Sequence, residues 1–267
     1  MAHAQIAAFP RLAKDNTQPN RMISGQTTLL ARTMHDIRYD AVHDEFVVNN
    51  PFAYAILVFR GGTNGEEPPL RVIQGPKTKI GGSSRLEVDP VNNEILLPEG
   101  RSVLVFNRTD NGDVAPKREL RDAGSGGGIA VDPVHNLLLL GSGGNNKNPG
   151  RMRIFNRTAS GDDKHLREIF GPKSGIVRAL QMQVYPPTGF IAVTQPGESG
   201  TFEPGGTFVG FWHISDNGDV PPRFKLSGPK STLIKPRGVA IIPEHKEVIV
   251  ADMSLNSVLV YYFPEIF

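Results

Sequence analysis

The chain of 267 residues carries 29 lysines and arginines against 27 acids, 39% hydrophobic residues and no cysteine. That balance leaves no uniform basic footprint for nucleic acid, and the missing cysteines remove thiol nucleophiles, disulfides, iron–sulfur clusters and thiolate zinc sites. No apolar run reaches the length of about 18 residues that a membrane span needs, and 29 glycines with 22 prolines argue against long helices.

In chain order the elements repeat. IAAFPR around Phe9 and the later PNRMISG come first. IRYDAVHDEFVV reads as two short strands around a turn after Asp40, followed by ILVFRG at Phe59 and PLRVIQG. LEVDPVNNEILL turns after Asp89 and leads to VLVFNR at Phe106 and PKRELRD. IAVDPVHNLLLL turns after Asp132 and leads to MRIFNR at Phe155 and HLREIFG. MQVYPPTGFIAV leads to FVGFWH at Phe211 and PRFKLSG, and VAIIPEHKEVIV leads to VLVYYF at Tyr261. A period of about 49 residues with four strands per unit predicts an all-β propeller of four-stranded blades, with five repeats. A six-bladed ring would need an inner pair that the sequence lacks. Residues 1–267 then form one domain, the N-terminal hairpin closing the ring with the last repeat. One third-strand segment, Ile6 to Phe9 or Val258 to Phe263, is left over. It either serves its own disc or is donated to a neighbour.

The segments VFNRTDNGDVAPKREL (Val105 to Leu120), GPKT (Gly75 to Thr78), GPKS (Gly171 to Ser174) and GIAVDPVHN (Gly128 to Asn136) resemble the repeats of the NHL and YVTN group of bacterial propellers. The resemblance covers nearly the whole chain and implies the fold rather than one activity, since such discs serve as enzymes, ligand traps and docking platforms. It also implies a secreted or extracytoplasmic protein.

The chemistry is sparse. There is no nucleophile elbow, no Walker loop and no His-Glu-x-x-His. His43, His135 and His245 recur in the turn between first and second strands, which is a repeat effect. Asp110 to Asp113 and Asp216 to Asp219 resemble half a calcium loop but lack its remaining carboxylates, so Asn-Gly is read as a hairpin turn. A lactonase-like hydrolase of this fold would gather Asp36, Glu87, Asp252 and Asn49 around a divalent ion at the channel. Arg38, Gln183 and Ala240 hold the position of Glu87 in other repeats. An ion pair between Glu87 and Arg38 is therefore expected in place of a metal, and no cofactor is expected.

Sorting the loops by face puts Lys77, Lys79, Lys173 and Lys230 on one side with Arg32, Arg85, Arg178 and Arg237. It puts Glu66, Asp113, Asp162 and Asp219 on the other. The expected function is a non-enzymatic propeller that binds a protein partner or an anionic ligand through the basic face. Its contact residues would be Arg32, His35, Arg38, Arg85, Glu87, Arg178, Gln183 and Arg237, because arginine forks onto carboxylate and phosphate. The loops Gly197 to Gly206 and Gly141 to Gly150, which depart from the repeat, are the expected specific contact surface. Two alternatives stand beside this reading. One is the lactonase-like hydrolase or lyase, and the other a structural subunit that assembles head to tail, as a homo-oligomer, through its spare strand.

Overall fold

The computed structural model describes residues 4–32, 34–124, 126–144, 147–197 and 206–267. The loop cores at 198–205 and 145–146, within the two expected contact loops, lie outside the described residues. The chain divides into two compact units, Met1–Gly100 with Leu104–Glu119, and Arg101–Val103 with Leu120–Phe267.

The first unit holds β1 (Gln5–Ala8) and β2 (Arg21–Ser24), paired as a two-stranded sheet. Next come β3 (Asp36–Asp40), β4 (Glu45–Asn50), β5 (Ala55–Arg60) and β6 (Arg71–Gln74), a four-stranded antiparallel meander. β7 (Glu87–Asp89), β8 (Glu94–Glu99), β9 (Ser102–Asn107) and β10 (Arg118–Leu120) form another, chiefly in this unit. The second unit holds two more meanders, β11 (Ile129–Asp132) to β12 (Leu137–Gly141), β13 (Met152–Asn156) and β14 (Arg167–Ile169), then β15 (Gln181–Tyr185) to β16 (Phe190–Gln195), β17 (Phe208–His213) and β18 (Phe224–Leu226). β19 (Pro236–Ile242), β20 (Glu247–Asp252) and β21 (Ser257–Tyr262) form a three-stranded sheet. Both third-strand segments over which the sequence left a choice are therefore strands: one pairs with β2, the other with β20.

The second strands are apolar on successive residues, and Leu137, Leu138, Leu139 and Leu140 are all buried. That is the pattern of a strand covered on both sides. In the first unit Val47, Ile56 and Val58 meet Val88, Ile95 and Leu97 of the following sheet and Leu86 just before it. In the second, Ala192, Val209 and Phe211 meet Val239, Ile241, Val248 and Val250.

The recurring Asp at the end of the first strand ties the following turn. Asp40 accepts the N–H groups of Val42 and His43, both at 3.0 Å, and Asp132 does the same for Val134 and His135. The His43 and His135 rings close these turns against the same carboxylates at 2.7 and 2.8 Å. Asn92 takes this place at Asp89, 2.8 Å away.

The Asn-Gly segments depart from the hairpin expectation. The chain reverses earlier, where Asp110 N–H bonds the Asn107 carbonyl at 3.0 Å, and Gly112 instead bridges to Ile73 of the preceding repeat. Gly112 donates to the Val72 carbonyl (2.6 Å) and accepts from Gln74 N–H (3.1 Å). Asn111 Oδ1 takes the Val72 N–H at 2.9 Å, and Asp113 Oδ1 takes the Lys77 N–H at 2.7 Å. The three residues form a clip along the neighbour's fourth strand and onto its Gly-Pro-Lys turn. Gly112 sits at φ +78°, which glycine adopts without a Cβ penalty. Gly218 repeats the bridge to Ile169, with Asn217 on Glu168 N–H (3.0 Å) and Asp219 on Lys173 N–H (2.7 Å).

Candidate functional site

Arg38 and Glu87 occupy the same register position, two residues before the closing aspartates of β3 and β7. Because these strands pack side by side, the two side chains meet, with Arg38 Nε 3.1 Å from Glu87 Oε1. Arg38 Nη1 lies 3.1 Å from Asp36 Oδ1. Asp36 also accepts the Leu86 N–H at 3.2 Å, and Glu87 the Val88 N–H at 2.9 Å. Burial holds both carboxyls above their usual range, against the lowering pull of Arg38. Arg85 adds positive charge beside Asp36 and donates to the Ser84 carbonyl at 2.6 Å. Asn49 donates to the Arg85 carbonyl at 3.0 Å. Arg32 and His35 are exposed, the His35 ring 6.5 Å from that of Phe52.

In the second unit Gln181 and Gln183 hold the register positions of Asp36 and Arg38. Gln183 Oε1 accepts the Ile241 N–H at 2.7 Å, and Gln181 Oε1 the Val239 N–H at 3.2 Å, so both tie β15 to β19. Arg178 and Arg237 are half-buried neighbours. Burial, then the charge of Arg237, holds Arg178 below the usual arginine value. No carboxylate of the described residues pairs with either guanidinium. Asp252 is taken up by backbone: its oxygens accept N–H groups of Ile234, Lys235, Ser254 and Leu255 at 2.7 to 3.1 Å. Among the described residues no three His, Asp or Glu side chains gather where they could hold a metal.

No protein-family model matches the chain, and no curated protein matches it in sequence. Solved structures do. A protein of Desulfotomaculum acetoxidans, described as functionally unknown, shares 14% identity over 87% of this chain and 68% of its own, with a TM-score of 0.58. A chain of the nidogen/laminin complex shares 12% over 86% of this chain and 80% of its own, at 0.55. Hydrazine synthase of Kuenenia stuttgartiensis shares 12% over 81%, at 0.53, and this chain spans 55% of that one. The fold is a β-propeller.

Four repeats of this propeller are complete four-stranded blades and the fifth is the three-stranded sheet β19–β21. The expected division of its loops into a basic and an acidic face is offset by the clips. Asp113 and Asp219, counted with the acids, bind the backbone of Lys77 and Lys173, counted with the bases. Lys79 also pairs with Glu119, and Arg121 with Asp162, each within 2.8 Å. Sequence reasoning also passed over Phe52 and Tyr54, both exposed beside the 3-10 turn Pro51–Ala53 that links β4 to β5. The signal was there, since Asn-Asn-Pro-Phe-Ala-Tyr breaks the repeat between second and third strands.

Proposed function

We propose that this chain is a non-enzymatic propeller of the NHL type that binds a protein partner and takes an anionic group of it on Arg178 and Arg237. The observation carrying this reading is the pair itself. Two adjacent, half-buried guanidiniums repel each other and lose hydration, and a carboxylate or phosphate between them relieves both costs. Arg32, His35, Arg85 and the exposed aromatics Phe52 and Tyr54 supply further contact chemistry in the first unit, since aromatics and arginine are enriched at interfaces. Binding is favoured over hydrolysis because the carboxylates a channel enzyme would use, Asp36, Glu87 and Asp252, already hold Arg38 or backbone N–H groups. A chain of the same fold was solved in the nidogen/laminin complex, which supports a protein as partner. The resemblance to exported repeats supports a secreted or extracytoplasmic location, which fractionation of source cells tests.

The reading is tested by thermal denaturation with inorganic phosphate or an oligoglutamate peptide. A ligand that binds only the folded state raises Tm. The wild type is expected to gain Tm with either anion, and Arg178→Ala with Arg237→Ala to gain none. Equal shifts in both proteins would reject the site. Cross-linking in source lysate, with the same double variant as reference, then identifies the protein partner.

A further inference from the structure

Three of the clips share a chemical weakness that the fourth lacks. The sequence contains three Asn-Gly pairs, Asn64–Gly65, Asn111–Gly112 and Asn217–Gly218, and each supplies the bridging glycine of a clip. Ser160 stands before the fourth, Gly161. Each Asn-Gly pair grips one residue of the neighbouring strand by both its backbone groups. Gly65 donates to the Met22 carbonyl at 2.8 Å while Asn64 Oδ1 takes the Met22 N–H at 3.0 Å. Gly112 and Asn111 hold Val72 in the same way at 2.6 and 2.9 Å, and Gly218 and Asn217 hold Glu168 at 2.7 and 3.0 Å. Every one of these contacts lies within one unit.

Asparagine followed by glycine readily loses its side-chain amide, because no side chain crowds the nitrogen that attacks. The glycine N–H gives its proton to base, and its nitrogen bonds to the asparagine Cγ. The Cγ–Nδ2 bond breaks, ammonia leaves, and a five-membered succinimide remains. Water then opens either carbonyl, which returns aspartate or, with the backbone rerouted through the side chain, isoaspartate. A closed clip withholds both reactants. The glycine proton is held by a strand carbonyl, and the asparagine side chain is pinned through Oδ1.

We propose that Asn64, Asn111 and Asn217 are sites of isoaspartate formation gated by their own clips, protected while a clip is closed and converted when it opens. Such opening is local and does not require the unit to unfold. The two products differ in effect. Aspartate keeps an oxygen where Asn Oδ1 stands, so the clip closes again. Isoaspartate adds a methylene to the backbone beside the glycine and moves that oxygen away, so the clip stays open. Conversion is one-way and loosens one repeat from the next. The proposal rests on the clips alone and is independent of anion binding by Arg178 and Arg237.

Peptide mapping by mass spectrometry, after incubation of the full chain in mildly alkaline buffer with and without urea, tests it. All three asparagines are expected to convert in urea, and at least about tenfold more slowly in the folded protein, where the open population sets the rate. Asp113→Ala removes the contact to Lys77 but keeps Asn111–Gly112. It is expected to speed conversion of Asn111 in the folded protein and to leave Asn64 and Asn217 at the wild-type rate. Circular dichroism checks that the variant remains folded. Equal rates with and without urea overturn the proposal, as does the absence of conversion in urea. An unchanged Asn111 rate in Asp113→Ala overturns the gating by the clip, and equal acceleration at all three sites replaces it with unfolding of the whole chain. For the products, Asn111→Asp is expected to keep the wild-type Tm, and protein carrying isoaspartate at position 111 to melt lower. Equal Tm values overturn the loosening.

Discussion

Arg38 sits between Asp36 and Glu87, 3.1 Å from an oxygen of each, and the pair leaves a signature in pH. Burial raises both carboxyls above the values they have in the unfolded chain. The folded state therefore binds more protons than the unfolded state between the ordinary carboxylate value and the raised one. This contribution to stability is fully present below the ordinary value and is lost as pH rises through the raised one. Glu94 runs the other way. Burial pushes it up, but Arg118 at 3.0 Å and Lys117 at 2.7 Å outweigh that and hold it low, so its contribution is lost as pH falls. Glu87→Gln should flatten the loss of stability from about pH 4.5 upward, read from urea unfolding at successive pH values. An unchanged slope would mean that Glu87 does not contribute to it. The Arg38–Glu87 contact was legible in the sequence because both residues stand two places before a closing aspartate. The Asp113 contact with Lys77 was not, because its partner is 36 residues away in another repeat and only the bridge of Gly112 to Ile73 brings them together.

At the scale of the element, β17 departs most from its counterparts. Its sequence FVGFWH puts Trp212 where β5 has Phe59, and Gly210 where β5 has Leu57. The two changes compensate. A Cβ on Gly210 would lie 2.5 Å from the Trp212 ring, so the missing side chain makes room for the larger ring, which is fully buried. Gly210→Ala is therefore expected to overpack this core and cost about 1–3 kcal/mol in urea unfolding, although β-strands otherwise disfavour glycine. The turn chemistry was readable from short windows: Asp-x-Val-His marked a strand end, and the closing bonds of His43 and His135 explain why. Asn-Gly misled for a physical reason. The left-handed backbone it favours is used here at φ +78° to bring one repeat's backbone against another, which a short window reads as a hairpin turn.

For the whole molecule, repeat arithmetic was the most reliable guide, since a fixed period of strand, turn and strand leaves few architectures. Binding chemistry was harder to read. Loop position suggested a basic face beneath a nearly balanced net charge, yet Lys79, counted on that face, meets Glu119, and Asp162, counted on the other, meets Arg121. Arg178 and Arg237 differ from those cations only in where their neighbours lie, which a linear sequence does not state.

The glycine clips also govern how each unit comes apart. In the second unit they join Leu120 to Gly161 and Ile169 to Gly218, while the described residues show no such bridge onto β19–β21. Each sheet is thus coupled to the next, and opening spreads one neighbour at a time from the less coupled end, as in a one-dimensional array. Amide hydrogens should report this as a gradient in time. In exchange measured by mass spectrometry, β21, an edge strand paired only with β20, is expected to take up deuterium first. β12, buried along its length between β11 and β13, should take it up last. Uniform exchange across the unit would mean that its sheets open together, in a single cooperative step.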